Sequence, residues 1–286
     1  MIFITVGSGD WHYNLNIIVA VGAIFMKLKH TRLILLLVFS ILIINAGCSS
    51  NSSNEVKQEI KVAAASDLTL AFSEIGKLFE EEKEVKVTFS FGSTGQLADQ
   101  IEHGAPFDVF AAANIQFVDY LKEKDLIIRE TQTTYAFGRI GIATKLSNNL
   151  NVRTLEDLLK PEVKKIAIAN PDHAPYGLAA KQALEEAGIW EQLEGKLVYG
   201  RNISDTLAYM ETGNVEASIV ALSLYNEEKM NFHLIDEELH APLEQSIAVI
   251  GRTSEYELAH EFIQFIKGPI GKPIMERYGF VVPEGM

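Results

Sequence analysis

Four short stretches carry the residues whose types and spacing suit chemistry. They are Ser66-Asp67, Ser93-Thr94-Gly95, Pro175-Tyr176-Gly177 and Asn202-Ile203-Ser204. Each puts small or hydroxyl-bearing residues where an apolar run breaks and an amphipathic run begins, the place of a helix start. The first turn of a helix leaves backbone N–H groups without partners and carries about +0.5 of an elementary charge. Such an end holds an anion without help from lysine or arginine. Serine and threonine hydroxyls add further donors. Arg201 is the one basic residue that accompanies these stretches. Neutral donors suit a small, fully ionised oxyanion, which brings acceptors only. A protonated phosphate also brings a donor and needs a carboxylate opposite it. Asp67 is a candidate for that carboxylate, so phosphate stays open.

Covalent chemistry finds less support. Ser66 has no histidine nearby in sequence to activate it, Gly92-Ser93-Thr94-Gly95 is not a nucleophile elbow, and no nucleotide-binding P-loop occurs. His12, His30, His103, His173, His233, His240 and His260 are scattered, without the paired spacing of a metal site. No catalytic residue and no metal cation are therefore assigned.

The elements that must position these stretches alternate. A buried strand over residues 60–65 breaks at Ser66 into a helix over 68–82, with Leu68, Phe72, Ile75 and Phe79 on one face. A strand at 85–91 leads through the Gly92–Gly95 turn into a helix at 96–103, which Gly104-Ala105-Pro106 stops. Strand 107–113 and helix 115–124 follow. Further on, strands are expected at 139–144, 165–170, 196–199, 217–221 and 246–250. Helices are expected at 154–159, 178–187, 204–211 and 255–266, with a last one ending near Tyr278. This order predicts parallel sheets covered by helices on both faces. The length from residue 58 onward suits two doubly wound α/β domains better than one. Ligands of open α/β sheets gather beyond the carboxyl ends of the strands. Two of the four stretches come from each half of the chain, so the halves are expected to face each other across a cleft.

The chain has 286 residues, 48% of them hydrophobic, and a formal net charge of −13. That balance argues against nucleic acid and against an anionic membrane surface as partners. Any anion site must rest on local dipoles. The single cysteine, Cys48, excludes an intrachain disulfide. A short basic segment from Met26 and an apolar run over 33–44 precede it, of signal-peptide length and too short to span a membrane. Asn45-Ala46-Gly47-Cys48 resembles a bacterial lipobox, with Asn45 departing from the usual leucine. Lipidation at Cys48 is expected to anchor the chain to the membrane, with residues 48–57 as a polar tether. Residues 26–47 read as the lipoprotein signal peptide, and 1–25 as a mis-annotated or extra extension upstream of a start at Met26.

From Ile60 onward the sequence resembles the molybdate-binding proteins of bacterial ABC importers, a family of two-domain periplasmic binding proteins. The resemblance rests on Ala63-Ala64-Ala65-Ser66, Phe91-Gly92-Ser93-Thr94-Gly95 and Gly104-Ala105-Pro106-Phe107-Asp108. It extends through Asn170-Pro171-Asp172-His173-Ala174-Pro175-Tyr176-Gly177, Val220-Ala221-Leu222-Ser223, Lys267-Gly268-Pro269 and Arg277-Tyr278-Gly279-Phe280. It implies a type II fold, with domain 1 formed by residues 58–135 and 244–286, domain 2 by 136–243, and a hinge where the chain crosses twice. It also implies capture of molybdate or tungstate by Ser66, by a hydroxyl of the Ser93-Thr94 pair, and by the backbone amides of Tyr176 and Ile203. Some members add a tyrosine hydroxyl at the position of Ala221. The departure there leaves the Tyr176 hydroxyl as a substitute. Asp67 resembles a one-residue insertion whose carboxylate should point away from the anion. The implied protein is an extracytoplasmic, lipid-anchored monomer without cofactor, which hands its ligand to an ABC permease. The rival readings are a binder of sulfate or phosphate, and an extracytoplasmic enzyme or sensor on the same fold.

Overall fold

A computed structural model of the chain describes residues 58–284. The extension, the signal peptide, Cys48 and the tether lie outside the described residues. In chain order the elements are β1 (Glu59–Ala65), α1 (Thr69–Lys83), β2 (Lys86–Gly92), α2 (Thr94–Glu102), β3 (Val109–Ala112) and α3 (Ile115–Glu123). They continue with β4 (Thr133–Gly138), β5 (Ile140–Lys145), β6 (Ile166–Ala169), α4 (Pro175–Glu186), α5 (Trp190–Leu193) and β7 (Leu197–Gly200). The last are α6 (Ile203–Glu211), β8 (Ala217–Ala221), β9 (Met230–Leu234), β10 (Leu243–Val249), α7 (Tyr256–Lys267) and α8 (Gly271–Arg277). Two 3-10 turns bear on the site, Ser66–Leu68 and Leu222–Leu224.

The strands form two five-stranded sheets, in the orders β2-β1-β3-β10-β4 and β7-β6-β8-β5-β9. The layouts match. Three parallel strands stand at one side of each, then one strand antiparallel to its neighbours, then an edge strand. The expectation of parallel sheets is thus corrected: both sheets are mixed. The reason lies in the path of the chain. The antiparallel members, β5 and β10, are the first strands after each crossing between sheets. Chain arriving from the other sheet enters at the end where the parallel strands finish, so it must run against them. Two strands escaped the sequence pattern, β4 and β9. β4 carries the first sheet through Gly138, three residues past the boundary expected at Tyr135, and β10 rejoins that sheet at Leu243.

Composition explains the layers. β3, β6 and β8 are buried at every residue, as strands covered on both faces must be. α1 turns Ala71, Phe72, Ile75 and Phe79 inward. α7 meets them with Phe262, whose ring stands edge-on to Phe72 and Phe79 at centroid distances of 6.1 and 5.2 Å. Burying such a ring contributes about 1.5–3 kcal/mol.

Register brings the functional stretches together. Ala65 pairs with Gly92, and Ala64 with Ala111. The residues that follow, Ser66, Ser93 and Ala113, therefore leave the first sheet side by side. In the second sheet Ala169 pairs with Gly200, which releases the Asn170–Gly177 loop and the Asn202 turn at a common edge.

Candidate anion-binding site

All four stretches line one small cavity between the sheets. Ser66, Asp67, Ser93 and Thr94 approach from one side, and Pro175, Tyr176, Asn202 and Ile203 from the other. The cavity volume is only about 10 Å³, far below the 300–1,000 Å³ typical of organic ligand pockets. A compact inorganic ion suits this space, and a sugar or amino acid does not.

The donors follow from how each helix begins. Pro175 occupies the first position of α4, where its fixed backbone angle is favourable and its missing N–H costs nothing. The first amide that α4 offers is then that of Tyr176. Asn202 caps α6, its side chain accepting from Asp205 N at 2.9 Å. That cap satisfies the third amide and leaves those of Ile203 and Ser204 without intrahelical partners. Thr94 opens α2, and its Oγ1 accepts from Ala113 N at 3.2 Å, which leaves its own O–H to donate. Ser66 is buried, and its Oγ bonds to no other described residue.

Ser93 is different. Its Oγ donates to the carbonyl oxygen of His173 at 2.6 Å and lies 2.8 Å from Nδ1 of the same histidine. A hydroxyl has one proton, so the imidazole donates to Ser93 and the serine keeps none for an anion. Gly95 N also donates to His173 O, at 2.9 Å. This contact needs glycine, because a Cβ there would stand 2.8 Å from that carbonyl oxygen. Ser93, Gly95 and His173 therefore tie the two sheets together. Further ties run from Ser204 Oγ to Ser66 O at 3.1 Å and from Ser223 Oγ to Asp67 O at 2.8 Å.

Asp67 is buried, and its carboxyl is turned to the seam. Tyr176 Oη donates to Asp67 Oδ2 at 2.9 Å, and Gln245 Nε2 donates to Tyr176 Oη at 3.3 Å. Burial pushes the Asp67 carboxyl up to about 7, against the opposing pull of the tyrosine hydrogen bond. Burial, with the neighbouring Asp67 charge, also pushes the Tyr176 hydroxyl up. The Tyr176 hydroxyl is thus not the substitute donor suggested by the sequence, because its O–H already donates to the Asp67 carboxyl. Ala221 ends β8 fully buried and does not line the cavity. Arg201 sits outside, paired with Asp205 at 2.7 Å. Apart from Asp67, no charged residue lines the cavity.

The four stretches named from the sequence all meet at this cavity, but the contacts that hold them in place have no sequence signal. His173, one of the scattered histidines, lies inside the Asn170–Gly177 stretch and makes one of these contacts. Gln245 carries no spacing signal, since it reaches the site only through the second crossing, on β10.

A model of bacterial extracellular solute-binding proteins matches residues 60–281. The molybdate-binding protein ModA of Rhodobacter capsulatus is 32% identical over 224 residues, covering 78% of this chain and 88% of that one. ModA of Escherichia coli K12 is 31% identical over 233 residues, with 78% and 89% covered. Among solved structures, the periplasmic molybdate-binding protein of Azotobacter vinelandii superposes with a TM-score of 0.74 at 25% identity, over 79% of this chain and 100% of that one.

Proposed function

We propose, for a chain that belongs to the bacterial extracellular solute-binding proteins, the capture of molybdate or tungstate outside the cytoplasm and its delivery to the permease of an ABC transporter. One observation carries the reading. Donors at the starts of helices from both sheets surround a single small cavity that holds no basic residue. The names of relatives above 30% identity choose among the oxyanions that such a cavity would accept.

Ser66 Oγ and Thr94 Oγ1 donate to the anion from the first sheet, and the amides of Tyr176 and Ile203 from the second. Each helix start adds about 0.3–1 kcal/mol, more where water is excluded. A tetrahedral dianion offers only acceptors, which matches a shell made of donors. Binding closes the sheets by hinge motion at the two crossings, after β4 and before β10. The Ser93–His173 contact latches the closed form, and the permease recognises that form. The protein acts as a monomer, held at the membrane by lipidation of Cys48, and performs no bond-making step on its cargo.

Thermal unfolding with molybdate, tungstate, sulfate and phosphate tests the reading. A ligand present at a hundred times its Kd stabilises by about 2.7 kcal/mol. For a chain of this size that is a rise of about 5–10 °C in Tm. Molybdate and tungstate should give it, with sulfate and phosphate well behind. No shift with either of the first two contradicts the reading.

A further inference from the structure

We propose that closing the cleft on the anion takes up one proton from solvent, which settles on Asp67, so that the ligand is captured as an anion–proton pair. The inference rests on the anion reading above and deepens it. Its ground is a cluster of buried polar atoms that is short of hydrogen. Asp67 Oδ2 accepts from Tyr176, and Gln245 donates to that same tyrosine oxygen. Asp67 Oδ1, Gln245 Oε1 and Tyr135 Oη are all buried and have no hydrogen-bond partner among the described residues. Asp67 Oδ1 and Gln245 Oε1 are both acceptors only while the carboxyl is ionised. A proton on Oδ1 turns one of these unmatched acceptors into a donor.

The surrounding charges give the carboxylate no help. Tyr176 on α4 and Tyr135 on β4 are the titratable groups that act on it, and both stay neutral, pushed up by burial. Of the charged side chains on the elements packed around the Ser66–Leu68 turn, Asp205 pairs with Arg201, Glu74 with Arg277, and Lys86 with Glu59. Ser223, from the Leu222–Leu224 turn, donates to the Asp67 backbone oxygen and adds no charge. A dianion beside Asp67 makes the ionised form still less favourable. An open cleft returns the carboxyl to water and to its ordinary range. The two states therefore differ in protons bound, and by linkage the affinity must depend on pH.

Even before the anion adds its charge, burial, opposed by the tyrosine hydrogen bond, pushes the closed-state carboxyl up to about 7. Anion affinity should then tighten about tenfold from pH 8 to pH 6, a range over which molybdate stays fully ionised. Calorimetric titration with molybdate at pH 7, in buffers of different ionisation enthalpy, reads the protons directly. At least about half a proton should enter per anion bound. Asp67→Asn should bind with no proton uptake and with an affinity that is flat in pH. The wild-type measurement stands alone if the variant does not fold. Binding that is flat in pH and exchanges no proton overturns this inference alone. No binding at any pH overturns the anion reading, and this one with it.

Discussion

Each residue around the cavity has a hydrogen-bond account that fixes its role. Ser66 and Thr94 keep an O–H free to donate into the cavity, whereas those of Ser93 and Tyr176 already donate to the His173 carbonyl and to Asp67. Ser66→Ala and Thr94→Val should each weaken molybdate binding by about 1–2 kcal/mol, or roughly 5–30-fold in Kd. Titration calorimetry checks this, and unchanged affinity would reduce either hydroxyl to a helix cap. Asp67 also makes a stability prediction. Its folded pKa of about 7 lies above the ordinary 3.8. A raised acid stabilises the fold below its unfolded pKa, and that contribution is lost as pH rises through the folded value. With molybdate bound and the cleft closed, wild type should therefore lose about 2–3 kcal/mol from pH 5 to pH 8 relative to Asp67→Asn, as read by urea unfolding. That Ser66, the Ser93-Thr94 pair, Tyr176 and Ile203 lie where strands give way to helices was legible in sequence, because such turns have local signatures. Which of Ser93 and Thr94 keeps its proton was not legible, since that depends on a histidine eighty positions away.

Elements set the closeness of approach. The start of α2 lies against the loop before α4 through Gly95 and His173 O. Gly95→Ala places a methyl 2.8 Å from that carbonyl and should hold the sheets apart. Affinity for every oxyanion should fall together, with the order among them and the Tm of the free protein nearly unchanged. Competition titrations read the first, thermal unfolding the second, and an unaltered Kd would show that the latch is dispensable. The helices were read well because their apolar faces repeat locally. α4 was placed three residues late, at Leu178, since the turn-forming appearance of Pro175-Tyr176-Gly177 hid a proline at the first helical position. β9 is a half-buried edge strand, and β4 opens on polar residues, so neither shows a clean alternation. The antiparallel sense of β5 and β10 has no local cause at all.

Residues 58–284 form two matching sheets joined by two crossings, with the cavity where they meet. Its aromatic cluster packs Phe262 against Phe72 and Phe79 on the face that α1 and α7 cover, and Phe72 in turn meets Tyr135 at a centroid distance of 6.1 Å. Phe262→Ala should cost about 3–5 kcal/mol of stability and leave the Kd for molybdate within about twofold where the protein stays folded. Denaturant unfolding and calorimetry separate the two effects. The most direct measurement is an anomalous difference map at the molybdenum edge from crystals grown with molybdate. The expected peak lies between the sheets, with anion oxygens within hydrogen-bond distance of Ser66 Oγ, Thr94 Oγ1, Tyr176 N and Ile203 N, and no lysine or arginine in contact. A peak outside this cavity, or an anion held by a basic side chain, would contradict it.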